Sequence, residues 1–103
     1  MEQINVYDDP EHERYVVEVD GESVGFTVYH LRAGGRHFFV HTEIFEGYEG
    51  MGLASTLVRS ALDDVRSKGG VVVPICPYVA EFITKNPEYD DLVDHETFDR
   101  IAD

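Results

Sequence analysis

The sequence predicts an α+β fold, in which an antiparallel meander of strands leads into a parallel β-α-β pair and helices pack on the mixed sheet. Apolar and polar residues alternate in short segments up to residue 45, as in half-buried strands. An amphipathic helical pattern follows over residues 53–68, and a continuous apolar run occupies residues 71–76. A strand that follows a helix and is buried on both faces is typical of a parallel crossover.

Strand patterns in the first half of the chain are separated by short turns. Residues 14–19 alternate, and an Asp-Gly turn signal at Asp20 and Gly21 follows. The next strand is predicted to place Val24, Phe26 and Val28 on one face. A third strand is predicted over residues 37–45, with one face made by Phe38, Val40, Thr42 and Ile44. Residues 4–7 are predicted to form an irregular start or an edge strand.

The second half of the chain is predicted to hold two helices around the buried strand. The first helix ends at Lys68, Gly69 and Gly70, and we expect its Arg59 to face solvent. The second begins after Pro77 and ends before Asn86 and Pro87, with an inner side made by Val79, Phe82 and Ile83. For residues 88–103 the pattern predicts no definite structure.

Length and charge limit the kinds of function. A chain of 103 residues is expected to form one domain over residues 1–103. Eight basic and twenty-one acidic residues give a net charge of −13, which disfavours nucleic acids and anionic membranes as partners. The spread of acidic residues resembles the salt-adapted surfaces of halophilic proteins. The single cysteine and the lack of a long apolar run favour a cytoplasmic protein without an internal disulfide.

The most informative motif is the run Glu49-Gly50-Met51-Gly52-Leu53-Ala54 between the third strand and the first helix. Glycines let the backbone turn sharply, and a helix N-terminus offers free N–H donors with a partial positive charge. This combination predicts a phosphate or pyrophosphate site, although such a turn is often only a tight connection. It is not a Walker loop, because no Gly-Lys-Ser/Thr follows, and it lacks the third glycine of a dinucleotide fingerprint.

These motifs resemble the GNAT superfamily of N-acetyltransferases, most closely its small single-domain YjdJ-type subgroup. The superfamily motif Arg/Gln-x-x-Gly-x-Gly/Ala corresponds here to Glu49-x-x-Gly52-x-Ala54. The resemblance covers residues 14–93 and includes three further pieces in order: His41-Thr42-Glu43, the run from Pro74 to Val79, and Asn86-Pro87-Glu88-Tyr89.

The resemblance implies that acetyl-CoA binds at this loop. Its pyrophosphate would lie on the backbone amides of residues 50–55, and its pantetheine arm in a cleft between two splayed parallel strands, bonded to edge groups of residues 42–45. The expected cofactor-binding residues are Ile44, Phe45, Gly50, Met51, Gly52, Leu53, Ala54, Ser55, Pro77, Lys85 and Asn86. No metal site is expected.

Two departures from the superfamily pattern affect the expected chemistry. Glu49 stands where Arg or Gln is usual, which suggests a side chain that turns away or caps the helix. The superfamily often has an Asn after the second parallel strand and a tyrosine acid on the next helix. Here Cys76-Pro77 and Phe82-Ile83 occupy those places.

Three residues are candidates for acetyl transfer. His41 and Glu43 share one strand face and could act as general base, whereas the alternative is a simply solvated pair. Thr42 points the other way and is expected to support the core. Cys76 is either a small buried hydrophobe or a thiol that accepts the acetyl group or protonates the departing CoA.

The predicted function is transfer of an acetyl group from acetyl-CoA to an unidentified amine. A non-catalytic acyl-CoA-binding or interaction module on the same scaffold is the alternative, and a purely structural domain is the third. A neighbouring copy in a homo-oligomer could complete the substrate pocket of so small a chain.

Overall fold

A five-stranded mixed sheet runs through the molecule, with the strands ordered as they occur along the chain. The computed structural model describes residues 2–102. The first four strands pair antiparallel and the fifth pairs parallel to the fourth. The strands are β1 (Ile4–Asp9), β2 (Arg14–Val19), β3 (Glu22–Arg32), β4 (Arg36–Ile44) and β5 (Val71–Pro74). The predicted α+β fold is therefore confirmed, and β1 is a regular edge strand.

Three helices pack on this sheet: α1 (Leu53–Ser67), α2 (Pro77–Lys85) and α3 (His95–Ala102). Helix α1 contacts all five strands, whereas α2 contacts β4 and β5, and α3 contacts β5. The last helix, and the 3-10 turn Pro87–Leu92 from its second residue on, lie in the segment for which the sequence pattern predicted no definite structure. Two shorter 3-10 turns are Pro10–His12 and Ala33–Gly35.

The core lies between α1 and one face of the sheet. The apolar stripe of α1 recurs at three- and four-residue steps and is buried as predicted, through Leu53, Leu57, Val58, Ala61, Leu62 and Val65. The same cluster includes residues of the strands, among them Tyr15, Val17, Val19, Val24, Tyr29 and Phe39. Full burial of one such aliphatic or aromatic side chain stabilises the fold by about 1.5–3 kcal/mol, so this layer holds the sheet against α1.

A bulge at Val40 changes which side chains of β4 share a face. The pairing of β4 with β3 skips Val40, so this residue is the extra one. Phe39 enters the core before the bulge, and Thr42 and Ile44 lie on the core side after it. The prediction that Phe38 and Val40 share a face with Thr42 and Ile44 is wrong, because the extra residue reverses the alternation.

A second bulge lies at Val24 of β3, which the pairing with β2 skips. Val24 is completely buried in the core, whereas Phe26 and Val28 are half-buried and lie outside that cluster. The prediction that these three side chains share one face is wrong for the same reason. We call the opposite side of β3 and β4, which carries Phe26, Val28, Phe38, His41 and Glu43, the open face.

Candidate cofactor and active site

The loop from β4 to α1 turns through glycines with left-handed backbone angles. Gly50 has φ 81° and Gly52 has φ 75°, values that side chains rarely tolerate. A Cβ atom at either position would meet no protein atom within 4 Å. The two glycines are therefore required by backbone conformation, and the space beside them is open to a ligand.

The N-terminus of α1 lacks a side-chain cap. Gly52 occupies the cap position, no side chain accepts a hydrogen bond from the first N–H groups of the helix, and the first turn contains no acidic residue. The first backbone bond joins the Thr56 N–H to the Gly52 oxygen at 3.1 Å, which leaves the earlier N–H groups without helical acceptors. This end is thus suited to an anion, and the alternative that Glu49 caps the helix is wrong.

An open cavity of about 300 Å³ lies against this loop. It brings together most of the residues predicted for the pyrophosphate and for the end of β4. Met51 and Phe45, which were predicted beside them, are exposed and do not line it. The lining residues are Ile44, Tyr48, Glu49, Gly50, Gly52, Leu53, Ala54, Ser55 and Tyr78.

A second cavity of about 190 Å³ continues from the first between α1 and α2. The two cavities share Ser55 and Tyr78, so they form one groove along the start of α1. The second one is lined in addition by Arg59, Glu81, Phe82, Lys85 and Asn86. The predicted residues Lys85 and Asn86 are therefore brought to the same groove as the glycine loop.

Both residues at the end of α2 also have partners within the protein. Lys85 forms an ion pair with Glu81, with 2.7 Å between Nζ and Oε1, and this hydrogen bond raises the pKa of the lysine. The Asn86 side-chain amide donates to the Phe82 carbonyl oxygen at 2.8 Å. Pro77 stands at the first position of α2, where its missing N–H costs the helix nothing.

Arg59 does not simply face solvent, contrary to the sequence prediction. Its guanidinium lies 5.3 Å from the centre of the Phe82 ring and 5.6 Å from that of Tyr89. It also donates to the Asn86 Oδ1 at 3.0 Å. Stacking on two rings fixes the cation at the floor of the second cavity. In the sequence, the only indication that Arg59 belongs to the groove was its position one turn beyond Ser55.

Tyr78 is the other groove residue that the sequence reasoning missed. It lies in the first turn of α2, is 40% exposed and lines both cavities. Burial raises the pKa of its phenol. The positive charge of Lys85 lowers this pKa and the negative charge of Glu81 raises it, and the net shift is upward. The phenol therefore stays protonated at neutral pH and can donate a hydrogen bond into the groove.

The parallel strands β4 and β5 separate halfway along β4. Their pairing covers only residues 36–39 of β4 and 71–74 of β5. One more bond runs from the Cys76 N–H to the Phe39 oxygen at 2.7 Å. Beyond it the remainder of β4 has no backbone partner on that side within residues 2–102. The bulge at Val40 and the proline at the end of β5 account for this separation.

Cys76 lies where the two strands part. It is 4% exposed, and its Sγ lies 3.5 Å from the Thr42 Oγ1. That hydroxyl is in turn 2.9 Å from the Thr27 Oγ1. Thr42 thus supports the core, and the thiol faces a polar pair of hydroxyls.

His41 and Glu43 lie on the open face, opposite Thr42. Their side chains are 58% and 50% exposed, and 3.2 Å separates the His41 Nε2 from the Glu43 Oε1. The structure brings these two together, as the alternation predicted, but it places them across the sheet from Cys76. Any reaction that used all three would have to occur at the opening between β4 and β5.

A larger groove of about 550 Å³ lies on the other side of α1, beside β1. Its lining is mainly acidic and aromatic, and most of its polar groups are paired. Lys68 Nζ lies 2.8 Å from Asp8 Oδ2 and 2.7 Å from Asp64 Oδ2, and Tyr15 donates to Asp64 at 2.6 Å. None of the residues predicted for the cofactor or the chemistry lines this groove.

Comparison with known proteins assigns the family. The family model described as GCN5-related N-acetyl-transferase matches residues 14–92, which is most of the chain. The chain belongs to this family of acetyltransferases, and its resemblance to the GNAT superfamily is confirmed, while the YjdJ-type subgroup stays a prediction.

A solved structure agrees with this assignment at the level of the fold. The crystal structure of Ard1 from Thermoplasma volcanium is similar with a TM-score of 0.52 and 24% sequence identity. The match covers 58% of this chain and 41% of that chain, so this chain corresponds to less than half of the neighbour. Within the described residues, no helix is both long enough and apolar enough to cross a bilayer.

Proposed function

We propose that this protein transfers an acetyl group from acetyl-CoA to an amine. One observation carries the proposal: the uncapped N-terminus of α1 opens onto a groove that reaches the end of β4. Backbone N–H groups can bind a diphosphate without basic side chains, which suits a chain of net charge −13. The family supports acetyl transfer in general, while the donor, the acceptor and the residue roles belong to the proposal.

Different residues of the groove bind different parts of acetyl-CoA. The N–H groups of residues 50–55 hold the diphosphate. The free edge of β4 at Ile44 bonds a pantetheine amide through its backbone groups. Phe45, predicted for the same role, has no free backbone group, because its N–H donates to the Val24 oxygen at 2.8 Å and its own oxygen accepts from the Tyr48 N–H at 3.1 Å. Arg59 and Lys85 supply the positive charges of the adjoining cavity, and Tyr78 supplies an aromatic surface between the two cavities.

The chemistry requires a base and a proton donor on this chain, because acetyl-CoA supplies only the activated acetyl group as a thioester. Glu43, with His41 beside it, accepts the proton that the attacking amine loses. Cys76 either donates a proton to the departing thiolate or accepts the acetyl group on its sulfur. Tyr78 is a second candidate donor, because its phenol is protonated at neutral pH.

Cys76→Ala tests the role of the thiol. We expect turnover to fall by about a hundredfold, as for loss of a general acid or base, while acetyl-CoA affinity changes little. Cys76→Ser is the matched control, because it keeps the size and a dissociable proton but is a poorer acyl acceptor. Steady-state CoA release and calorimetry measure the two properties. Unchanged turnover in Cys76→Ala would assign the residue to the core alone.

Intact-mass analysis separates the two roles of Cys76. An acyl acceptor gains one acetyl group when the protein is incubated with acetyl-CoA and no amine, and Cys76→Ala abolishes the gain. A proton donor gives no mass change but retains more activity as Cys76→Ser than as Cys76→Ala.

A non-catalytic acyl-CoA-binding module is the second candidate function. The observation in its favour is the deep burial of Cys76, whose thiol lines neither cavity of the groove. Calorimetric binding of acetyl-CoA without CoA release in the presence of diverse amines would favour this module. The cytoplasmic location, the salt-adapted surface and the homo-oligomer stay predictions.

A further inference from the structure

The open face carries a cluster of aromatic and charged groups centred on Phe26. The ring centre of Phe26 lies 6.0 Å from that of Phe45 and 6.1 Å from that of His41. Glu43 is the cross-strand partner of Phe26 in the pairing of β3 with β4. The cluster therefore surrounds the exposed end of β4, next to the residues that we propose as the base.

Phe26 already interacts with a cation of this chain. The Arg14 guanidinium carbon lies 5.6 Å from the centre of the Phe26 ring, within the range of cation–π attraction. Arg14 is held there by Asp9, with 3.3 Å between Nε and Oδ2. Phe45 is 38% exposed, and no cation from residues 2–102 occupies its ring. One ring of the cluster is thus filled and the other is available.

We propose that Phe45 and Glu43 form the acceptor subsite, with Phe26 packed against Phe45, and that this subsite binds the protonated amine of a lysine side chain on a polypeptide. The proposal rests on the proposed acetyl transfer and names its acceptor class. An open aromatic ring and a carboxylate recognise an ammonium group, because the ring face and the carboxylate both carry negative potential.

The openness of the cluster favours an amine on a polypeptide over a free small amine. The subsite is a sheet face whose charged side chains are half exposed, at 58% for His41 and 50% for Glu43. A small amine on such a face buries little surface, so most contact must come from the molecule that carries it. The half-buried Val28 and Phe38 extend the face along β3 and β4 and offer apolar contacts to a chain.

Binding of labelled peptides tests the subsite without requiring turnover. Three peptides of one sequence carry lysine, trimethyl-lysine or norleucine at the same position, and fluorescence anisotropy measures their affinity for the full chain. Trimethyl-lysine keeps the charge but cannot be acetylated, and norleucine keeps the length without the charge. We expect the two charged peptides to bind about fivefold tighter than the norleucine peptide.

Substitutions locate the preference on the protein. Phe45→Leu removes the available ring but keeps an apolar side chain, and we expect it to abolish most of the fivefold preference. Phe38→Leu is the matched control on the same face, and it should retain the preference. Because Phe45 is exposed, its substitution should leave thermal unfolding unchanged, so that lost binding cannot be attributed to misfolding.

Three outcomes would overturn the subsite. They are equal binding of the norleucine peptide, an equal loss of preference in Phe38→Leu, and binding of free spermidine as tight as that of the lysine peptide. Calorimetry with acetyl-CoA on the same samples tests the proposed function separately. If wild-type protein binds the charged peptides but no acetyl-CoA, the acetyl transfer fails and the cation subsite stands.

Discussion

The two grooves beside α1 differ in size and, more tellingly, in how their polar groups are paired. The larger one, of about 550 Å³ beside β1, is lined by Asp8, Asp63, Asp64 and Lys68. The smaller one, of about 300 Å³ at the glycine loop, has backbone N–H groups without helical acceptors and no acid in the first helical turn. Volume alone would select the groove that is lined by three carboxylates, which disfavour an anionic ligand.

Pairing explains why the larger groove is a stabilising feature. The Tyr29 hydroxyl donates to Asp8 at 2.7 Å, and the Tyr89 hydroxyl to Asp63 at 2.7 Å. Burial raises the pKa of Tyr15, and its bond to Asp64 raises it further, so the phenol stays neutral. A groove whose donors already have protein acceptors gains little by binding a ligand, whereas free donors do gain.

Gly52→Val should have the largest effect of the variants, because it disrupts the smaller groove and lowers the affinity for acetyl-CoA. A branched side chain at positive φ strains the turn and projects into the space beside the loop. Loss of one charge-assisted bond to phosphate costs about 1.5–3 kcal/mol, so calorimetry should show acetyl-CoA affinity reduced by about tenfold or more.

The matched control for this substitution is Gly69→Val at the other end of α1. Gly69 has φ 73° and an equally open Cβ direction. Its replacement should lower the unfolding temperature to a similar extent and leave acetyl-CoA affinity unchanged. An equal loss of affinity in both variants would attribute the effect to backbone strain.

Lys68→Met should disrupt the ion pairs of the larger groove. Its effect should be smaller than that of Gly52→Val, and it should lower the stability of the protein and leave its affinity for acetyl-CoA unchanged. It leaves the Asp8 and Asp64 carboxylates without their shared cation. Because Lys68 is 48% exposed, we expect a loss of only about 1 kcal/mol in urea unfolding. Arg100→Gln, which removes a fully surface ion pair to Glu96, should cost less than about 0.5 kcal/mol. A clear loss of acetyl-CoA affinity in Lys68→Met would contradict the division between the grooves.

The pH dependence of stability should show the smallest effect. Burial tends to raise the pKa of Asp64, but hydrogen bonds from Lys68 and Tyr15 outweigh it and lower the pKa. A carboxyl with a lowered folded-state pKa stabilises the protein above its unfolded value of 3.8, and this stabilisation is lost as the pH falls through the folded value.

Urea unfolding at two pH values measures the stabilisation that comes from the ionised Asp64 carboxylate. The stability difference between wild type and Lys68→Met should be complete at about pH 6 and should shrink as the pH falls below 3.8 and Asp64 takes up its proton. A difference that stays constant over this interval would show that Lys68 acts through packing of its alkyl stem.

Local patterns in the sequence predicted much of this architecture. Burial could be predicted from the three- and four-residue steps of α1 and from the apolar run of β5. The turn before α1 could be predicted from the glycines at residues 50 and 52. The faces of β3 and β4 were mispredicted because an extra residue at Val24 or Val40 leaves no trace in a pattern of period two.

The missing parts of the candidate site depend on contacts between distant residues. Arg59 and Asn86 are 27 positions apart, and their hydrogen bond exists only because α1 and α2 meet. Tyr78 lines the groove because α2 begins beside Ser55, which no spacing within α2 could predict. Phe26 and Phe45 likewise meet through strand register, which the sequence alone left open.

The additional residue in β4 has a kinetic consequence. Because Val40 turns Thr42 towards the helices and leaves Glu43 on the other side, donor and acceptor would approach the opening between the strands from opposite directions. Under the proposed acetyl transfer with Cys76 as proton donor, both substrates could then be bound at once, whereas an acetylated Cys76 would release CoA before the amine reacts. Deleting this single residue would invert the end of the strand and place both partners in competition for one entrance.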